Sequence, residues 1–225
     1  MKATYYGHSC FSVVVSHRTL LFDPFITGNE LAKDIDVNKL PADYILISHA
    51  HEDHIGDAVA IAKRTGATVV SSYEIAMWCG SKGTKIRPMN HGGAAKFDFG
   101  RVKLVNAVHS SSFPDGTYGG HPAGIVIESG DGNFYYSGDT ALTMDMKLIG
   151  ESVKLKFAVL CIGDNFTMGA EDAVKAAEFV KCDEVLGVHY DTFPQIKIDH
   201  QAAMAKFQAA GKRLHLLKPG ETRDF

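Results

Sequence analysis

Residues Ser48-His49-Ala50-His51-Glu52-Asp53-His54 place three imidazoles and two carboxylates in seven consecutive positions, directly after the apolar run Tyr44-Ile45-Leu46-Ile47. Neutral imidazoles and carboxylates are the ligands that zinc, manganese and ferrous iron accept, and a catalytic centre leaves a coordination position open for water. If His49 and His51 face one ion, Asp53 and His54 are left for a second. A solvated polar turn would account for a single histidine of this kind. It does not account for this density, because such similar side chains crowd one another unless an ion organises them.

Other apolar runs end in the same way. Short β-rich segments recur at Cys10–Val15, Leu20–Phe22, Tyr44–Ile47, Thr68–Val70, Val102–Val108, Gly124–Ile127, Phe134–Tyr136, Phe157–Ile162, Val185–Val188 and Leu214–Leu217, after a first strand in Met1–Gly7. Three of them run into His109, Asp139 and His189, and a fourth into Asp23. Side chains at neighbouring strand ends converge on one crevice at a sheet edge. Each His or Asp alone would read as a turn or hydrogen-bonding residue, but the repetition favours one constellation. Apolar spacings of three and four predict helices over Ile55–Arg64, Ala170–Val180 and His200–Ala210, with Gly66 and Gly211 as stops after the first and third. The prediction is a strand-rich α/β fold with residues 1–225 as one domain. Its strand pattern occurs twice, which permits an internal two-fold arrangement without establishing one.

Lys and Arg number 23 against 26 Asp and Glu, a net charge of -3, so no basic block marks a nucleic-acid footprint. No apolar run reaches the roughly 20 residues of a membrane span, and no export signal or nucleotide-binding glycine motif is visible. Cys10, Cys79, Cys161 and Cys182 are far apart and read as buried thiols of a reducing, cytoplasmic compartment. Gly7-His8-Ser9-Cys10-Phe11 lacks the second glycine of a serine nucleophile elbow.

The series His49, His51, Asp53, His54, His109, Asp139, His189 resembles the His-x-His-x-Asp-His…His…Asp…His pattern of the metallo-β-lactamase superfamily. Gly7-His8-Ser9, Asp23-Pro24-Phe25, Ser137-Gly138-Asp139-Thr140, Asn165-Phe166-Thr167-Met168-Gly169 and His189-Tyr190-Asp191-Thr192-Phe193-Pro194 are similar to segments of its UPF0173 metal-dependent hydrolases. The resemblance implies a four-layer αββα sandwich. It implies two divalent ions, zinc first, with manganese or iron as alternatives. His49, His51 and His109 would hold one, Asp53, His54 and His189 the other, and Asp139 both. Asp23 would orient ligand histidines from behind, since a carboxylate accepting a ring N–H fixes the tautomer. Glu52 stands where related proteins often carry a small residue.

The expected reaction is hydrolysis of a small ester, lactone, amide or phosphodiester by a metal-bridging hydroxide, with Asp53 as orienting group and base. His8 is either a substrate-side catalytic group or a packing histidine. The first requires proximity to the metals, the second ring nitrogens satisfied by nearby backbone. Ser110, Ser111, Asn165 and Thr192 are candidate pocket residues, and the loop from Ser110 to Gly120 either shapes access or is a long turn. The rival readings are a nuclease or cyclic-nucleotide phosphodiesterase, a di-iron redox protein, and a non-catalytic metal-binding protein. The expected partner is a small molecule, not nucleic acid or membrane, and a homo-oligomer is left open.

Overall fold

The computed structural model describes residues 1–225. Strands β1 (Lys2–Gly7), β2 (Cys10–Val15), β3 (Arg18–Phe22), β4 (Tyr44–Leu46), β5 (Thr68–Ser72) and β6 (Lys85–Met89) lie side by side in that order. Strands β7 (Ala94–Phe97), β8 (Gly100–Asn106), β9 (Ala123–Ser129), β10 (Gly132–Tyr136), β11 (Phe157–Cys161), β12 (Glu184–Val188) and β13 (Arg213–His215) form a second sheet, also in chain order. The C-terminal β14 (Thr222–Asp224) returns to the first sheet and pairs with β1.

Alternation along the strands explains the layering. In β10, Phe134 and Tyr136 face the other sheet while Tyr135 faces helices, and in β3 Leu20 and Phe22 flank an oppositely directed Leu21. Strands buried on both faces read as continuous apolar runs, which is why these segments stood out. Between the sheets Phe11 stacks on Phe22 at 4.5 Å and Phe134 on Phe157 at 4.9 Å. Helices α1 (Glu52–Ile55), α2 (Ala58–Thr65) and α3 (Tyr73–Ser81) follow β4 and β5, and α2 and α3 cover the first sheet. Helices α4 (Met146–Ser152), α5 (Ala170–Phe179) and α6 (His200–Ala209) belong to the second, where α5 and α6 pack on β11 and β13. The layers are therefore αββα, as the resemblance implied.

Both sheets repeat one pairing pattern. From β14 to β6, and from β7 to β13, three antiparallel pairings are followed by three parallel ones. The two-fold arrangement permitted by the sequence is thus present. It makes β1 the counterpart of β8, and β3 of β10.

The expected helix Ile55–Arg64 is split into α1 and α2. At the break, the Asp57 amide donates to Pro24 O at 3.0 Å and its carboxylate accepts from the amides of Ile26 and Thr27. Strands β6, β7 and β14 were not foreseen, since each is a sheet edge without an alternating buried face, and β6 carries Pro88, tolerated at an edge. The last run is also shorter than expected, Arg213–His215 against Leu214–Leu217. Helix α3 shows no apolar stripe and α4 has only seven residues.

The inter-sheet layer should dominate stability. Phe134→Ala removes a ring fully buried against Phe22 and Phe157 and should cost about 3–5 kcal/mol in denaturant unfolding; a loss below about 1 kcal/mol would contradict this packing account.

Candidate metal centre

The residues singled out in sequence meet at the C-terminal ends of the central strands. Ring and carboxylate atoms of His49, His51 and His109 lie within 4.8 Å of one another, as do those of His8, Asp53, His54 and His189. Asp139 Oδ2 stands between the groups, 2.8 Å from His189 Nε2, 3.3 Å from His54 Nε2, 3.8 Å from His109 Nε2 and 3.9 Å from His49 Nε2.

Local hydrogen bonds bring the segments there. Helix α1 begins at His51, whose carbonyl accepts from the amides of His54 and Ile55. This turns Asp53 and His54 back over the strand end. Val108 N donates to Thr140 Oγ1 and Ala141 N to Val108 O, tying the His109 segment to the Asp139 segment. Ala123 N donates to Ser48 O, joining the sheets beside the site. Gly138, at φ +59°, passes so close to Ser48 that a Cβ would stand 2.9 Å from the serine Cβ. His8, Asp23 and His189 all have positive φ, at 54°, 38° and 59°. Non-glycine residues held in this region mark sites where the surroundings over-determine the backbone.

Asp23 organises the ligand-type histidines. Its buried carboxylate accepts from Ser48 N at 2.7 Å, Ser48 Oγ at 2.5 Å, Tyr136 Oη at 2.6 Å and His54 Nδ1 at 2.8 Å. Because the Ser48 hydroxyl is donated to Asp23, its oxygen is free to accept from His49 Nδ1 at 2.9 Å. One carboxylate thus sets the tautomers of two rings, directly and through Ser48. Both rings then present Nε2 lone pairs to the centre. His49 Nε2 lies 2.9 Å from His51 Nδ1, the two rings set edge-on.

Such an arrangement fits a cation. His54 Nε2 is buried without a hydrogen-bond partner, 3.3 Å from one carboxylate and 3.9 Å from that of Asp53. Asp139 Oδ1 and His189 Nδ1 are likewise buried and unpartnered. A lone pair facing two carboxylates is repulsive unless positive charge lies between them. A proton on Nε2 supplies that charge when no ion does, and the titration preferences reflect it. Burial would lower the pKa of His54, yet Asp139 and Asp53 outweigh it and hold it well above the ordinary value. Burial likewise opposes ionisation of Asp139, but His189 and His54 hold its carboxyl well below the usual range. His49 is pushed well down by burial and by His54. The donor set, five imidazoles and two carboxylates with no thiolate, suits zinc, manganese or iron.

The remaining candidates divide. His8 is fully buried and belongs to the centre, and its ring nitrogens meet side chains, with Nε2 3.1 Å from Asp53 Oδ2 and Nδ1 2.9 Å from Thr192 Oγ1. Burial and neighbouring His189 push its pKa down to about 4, so the ring is neutral at neutral pH. Thr192 is turned to His8 rather than to open space. Ser110 is exposed, its Oγ 3.4 Å from His51 Nε2. Ser111 is committed elsewhere, accepting from Ala50 N and donating to Gly119 O, and so anchors the 110–120 loop on the ligand loop. Asn165 lines a separate cavity with Asp164, Glu171, Asp199 and Lys206, none of which belongs to the centre. Sequence reasoning missed Asp57, Tyr136 and Thr140 as supports. Only the position of Thr140 and Tyr136 beside Asp139 could have signalled them. His17, His91, His121, His200 and His215 lie outside the cluster.

Comparison with known proteins identifies the family. Residues 4–209 match the model of the metallo-beta-lactamase superfamily. A UPF0173 metal-dependent hydrolase of Christiangramia forsetii is 57% identical over 223 residues, covering 99% of each chain. One from Thermus thermophilus is 48% identical over 221 residues, covering 98% of this chain and 97% of its own. Among solved structures, Igni18, a metallo hydrolase from Ignicoccus hospitalis, is 38% identical with a TM-score of 0.90, covering 100% of this chain and 98% of its own. The chain accordingly belongs to the metallo-β-lactamase superfamily and, within it, to the UPF0173 metal-dependent hydrolases.

Proposed function

We propose that the protein is a binuclear hydrolase of a small ester, lactone, amide or phosphodiester, with zinc as the first candidate metal. His49, His51 and His109 would hold one ion, Asp53, His54 and His189 the second, and Asp139 would face both. The observation that carries this reading is the buried, unpartnered Nε2 of His54, fixed by Asp23 as a lone pair between two carboxylates. We read residues 1–225 as one domain of a cytoplasmic protein, a reading supported by inter-sheet packing that reaches from Met1 to Phe225 and by four buried free cysteines.

Divalent ions in such a site supply an acidified water as nucleophile and polarise the bond under attack. The protein's own groups do the rest. Asp53 keeps about a quarter of its side chain exposed, at 26%, so it reaches both the centre and the open side. Burial opposes its ionisation, but His54 and His8 hold its carboxyl well below the usual range, so it is present as a carboxylate able to orient the water by accepting a hydrogen bond from it. Asp23, Ser48 and Tyr136 preset the ring orientations, so little reorganisation is needed when charge develops. The partly buried Phe25 and Phe193 rings stand 5.8 and 5.5 Å from His8 and wall that side with apolar surface. Every ion pair at the centre joins a histidine to an aspartate, and none involves lysine or arginine. This favours a small substrate over a polyanion.

Metal analysis with a panel of hydrolase substrates tests the reading. Two ions per chain and turnover of one bond class are expected; a folded protein that takes up no metal would refute it. His109→Ala should weaken mainly the first ion and His189→Ala mainly the second, measured by metal titration. Equal loss of both ions in each variant would show that the halves do not bind separately. Asp53→Asn preserves size but removes charge and basicity, so turnover should fall by about 10²–10⁴-fold in a folded protein, with weaker second-ion binding. Wild-type turnover with both ions retained would remove Asp53 from the mechanism.

A further inference from the structure

The internal two-fold singles out His8. His109 follows β8 by three residues, and His8 directly follows β1, the counterpart of β8 in the repeated pairing pattern. The two strands therefore deliver one imidazole each to opposite halves of the centre, His109 beside His49 and His51, His8 beside Asp53, His54 and His189. The environments differ. His109 is partly exposed, whereas His8 is fully buried, with Phe25 and Phe193 set edge-on to it.

Proton bookkeeping fixes what His8 does there. A carboxylate that holds an ion can only accept, so under the binuclear reading the 3.1 Å contact places the hydrogen on His8 Nε2. With its one N–H on Nε2 the ring accepts at Nδ1, where the Thr192 hydroxyl lies 2.9 Å away, closer than the 3.3 Å to its other acceptor, Tyr190 O. In this tautomer neither ring nitrogen has a lone pair to offer an ion.

We propose that His8 is a positioning residue for the second half of the centre: its Nε2–H holds one carboxylate oxygen of Asp53, and the Thr192 hydroxyl at Nδ1 holds the ring in place. That same oxygen is the one that faces His54 Nε2, at 3.9 Å, so His8 holds the carboxylate oxygen turned to the second half, and the other makes no hydrogen bond within the chain. The main chain of His8 serves the same half, since its carbonyl accepts from His189 N at 2.9 Å and from Tyr5 Oη at 3.1 Å. These bonds hold the residue at φ +54° and would survive a side-chain substitution. The histidine that resembled a substrate-side group is thereby given the role for Asp53 that Asp23 has for His54. This inference rests on the binuclear reading above.

Zinc and manganese titrations against a competing chelator, on wild type, His8→Ala, His8→Gln and Thr192→Val, test it. Loss of an outer partner of a metal ligand costs about 10–100-fold in affinity. His8→Ala should show a second-ion loss in that range with first-ion affinity unchanged. His8→Gln, whose side-chain amide can again donate toward Asp53, should recover most of it. Thr192→Val should fall between wild type and His8→Ala, and is the deciding variant if His8→Ala does not fold. On any substrate found, His8→Ala should lower kcat more than it raises KM. Unchanged second-ion affinity in His8→Ala, or in Thr192→Val should His8→Ala not fold, overturns the proposal while leaving the binuclear reading intact. A His8→Gln protein as impaired as His8→Ala also overturns it, because the ring and not its N–H would then be needed. Wild type binding fewer than two ions overturns both readings.

Discussion

The centre depends on one buried carboxylate. Asp23 lies at the end of β3 with no exposed surface, and an isolated charge there would be prohibitive. Four hydrogen bonds satisfy it, from a backbone amide, a serine, a tyrosine and a histidine. Tyr136 belongs to the second sheet and Ser48 follows a strand of the first, so the same contacts that neutralise the desolvation cost also lock the sheets at the site's edge. Removing the carboxylate would free two ring tautomers and leave four donors without an acceptor. Ligand geometry and sheet packing are therefore one problem in this fold.

The repeated sheet explains why the site exists where it does. Each half contributes three antiparallel pairings followed by three parallel ones, and parallel strands all end on the same side. Asp23 and Asp139 end equivalent strands, yet they act differently, because Asp23 is enclosed by donors whereas Asp139 keeps one oxygen unpartnered among histidines. Duplication supplies the positions; the surroundings decide which carboxylate supports and which faces the histidine cluster.

Much of the ligand cluster could be read from the chain because its signals are local. Histidines packed into seven residues, and apolar runs that stop on His109, Asp139 and His189, need no long-range knowledge. The supports could not be read so. Thr192 lies 184 residues from His8, and Tyr136 lies 113 residues from Asp23. A hydroxyl has no sequence mark that distinguishes a buried partner from a surface one. Ser111 shows the converse, since its place beside His109 pointed to the pocket while its hydroxyl bonds the backbone of two loops. Edge strands and α3 were illegible for a related reason: periodicity reports a face buried against a core, and these elements lack one clean face.

The charge of the centre follows from its composition. Five imidazoles presented as neutral ligands and two carboxylates contribute two negative charges, and under the binuclear reading two dications leave the assembly net positive. A surplus of positive charge in a partly enclosed site stabilises an anionic transition state more than a neutral ground state. The surplus is unevenly placed. One half holds only imidazoles and opens to solvent at His51 and His109; the other contains Asp53 and is backed by buried His8 and His189. On that reading a polarisable oxygen of a substrate would be drawn more strongly to the imidazole half, and proton acceptance would belong to the half with the carboxylate. The two tasks would then be separated across one centre by where the strands end, with no need for a nucleophilic side chain.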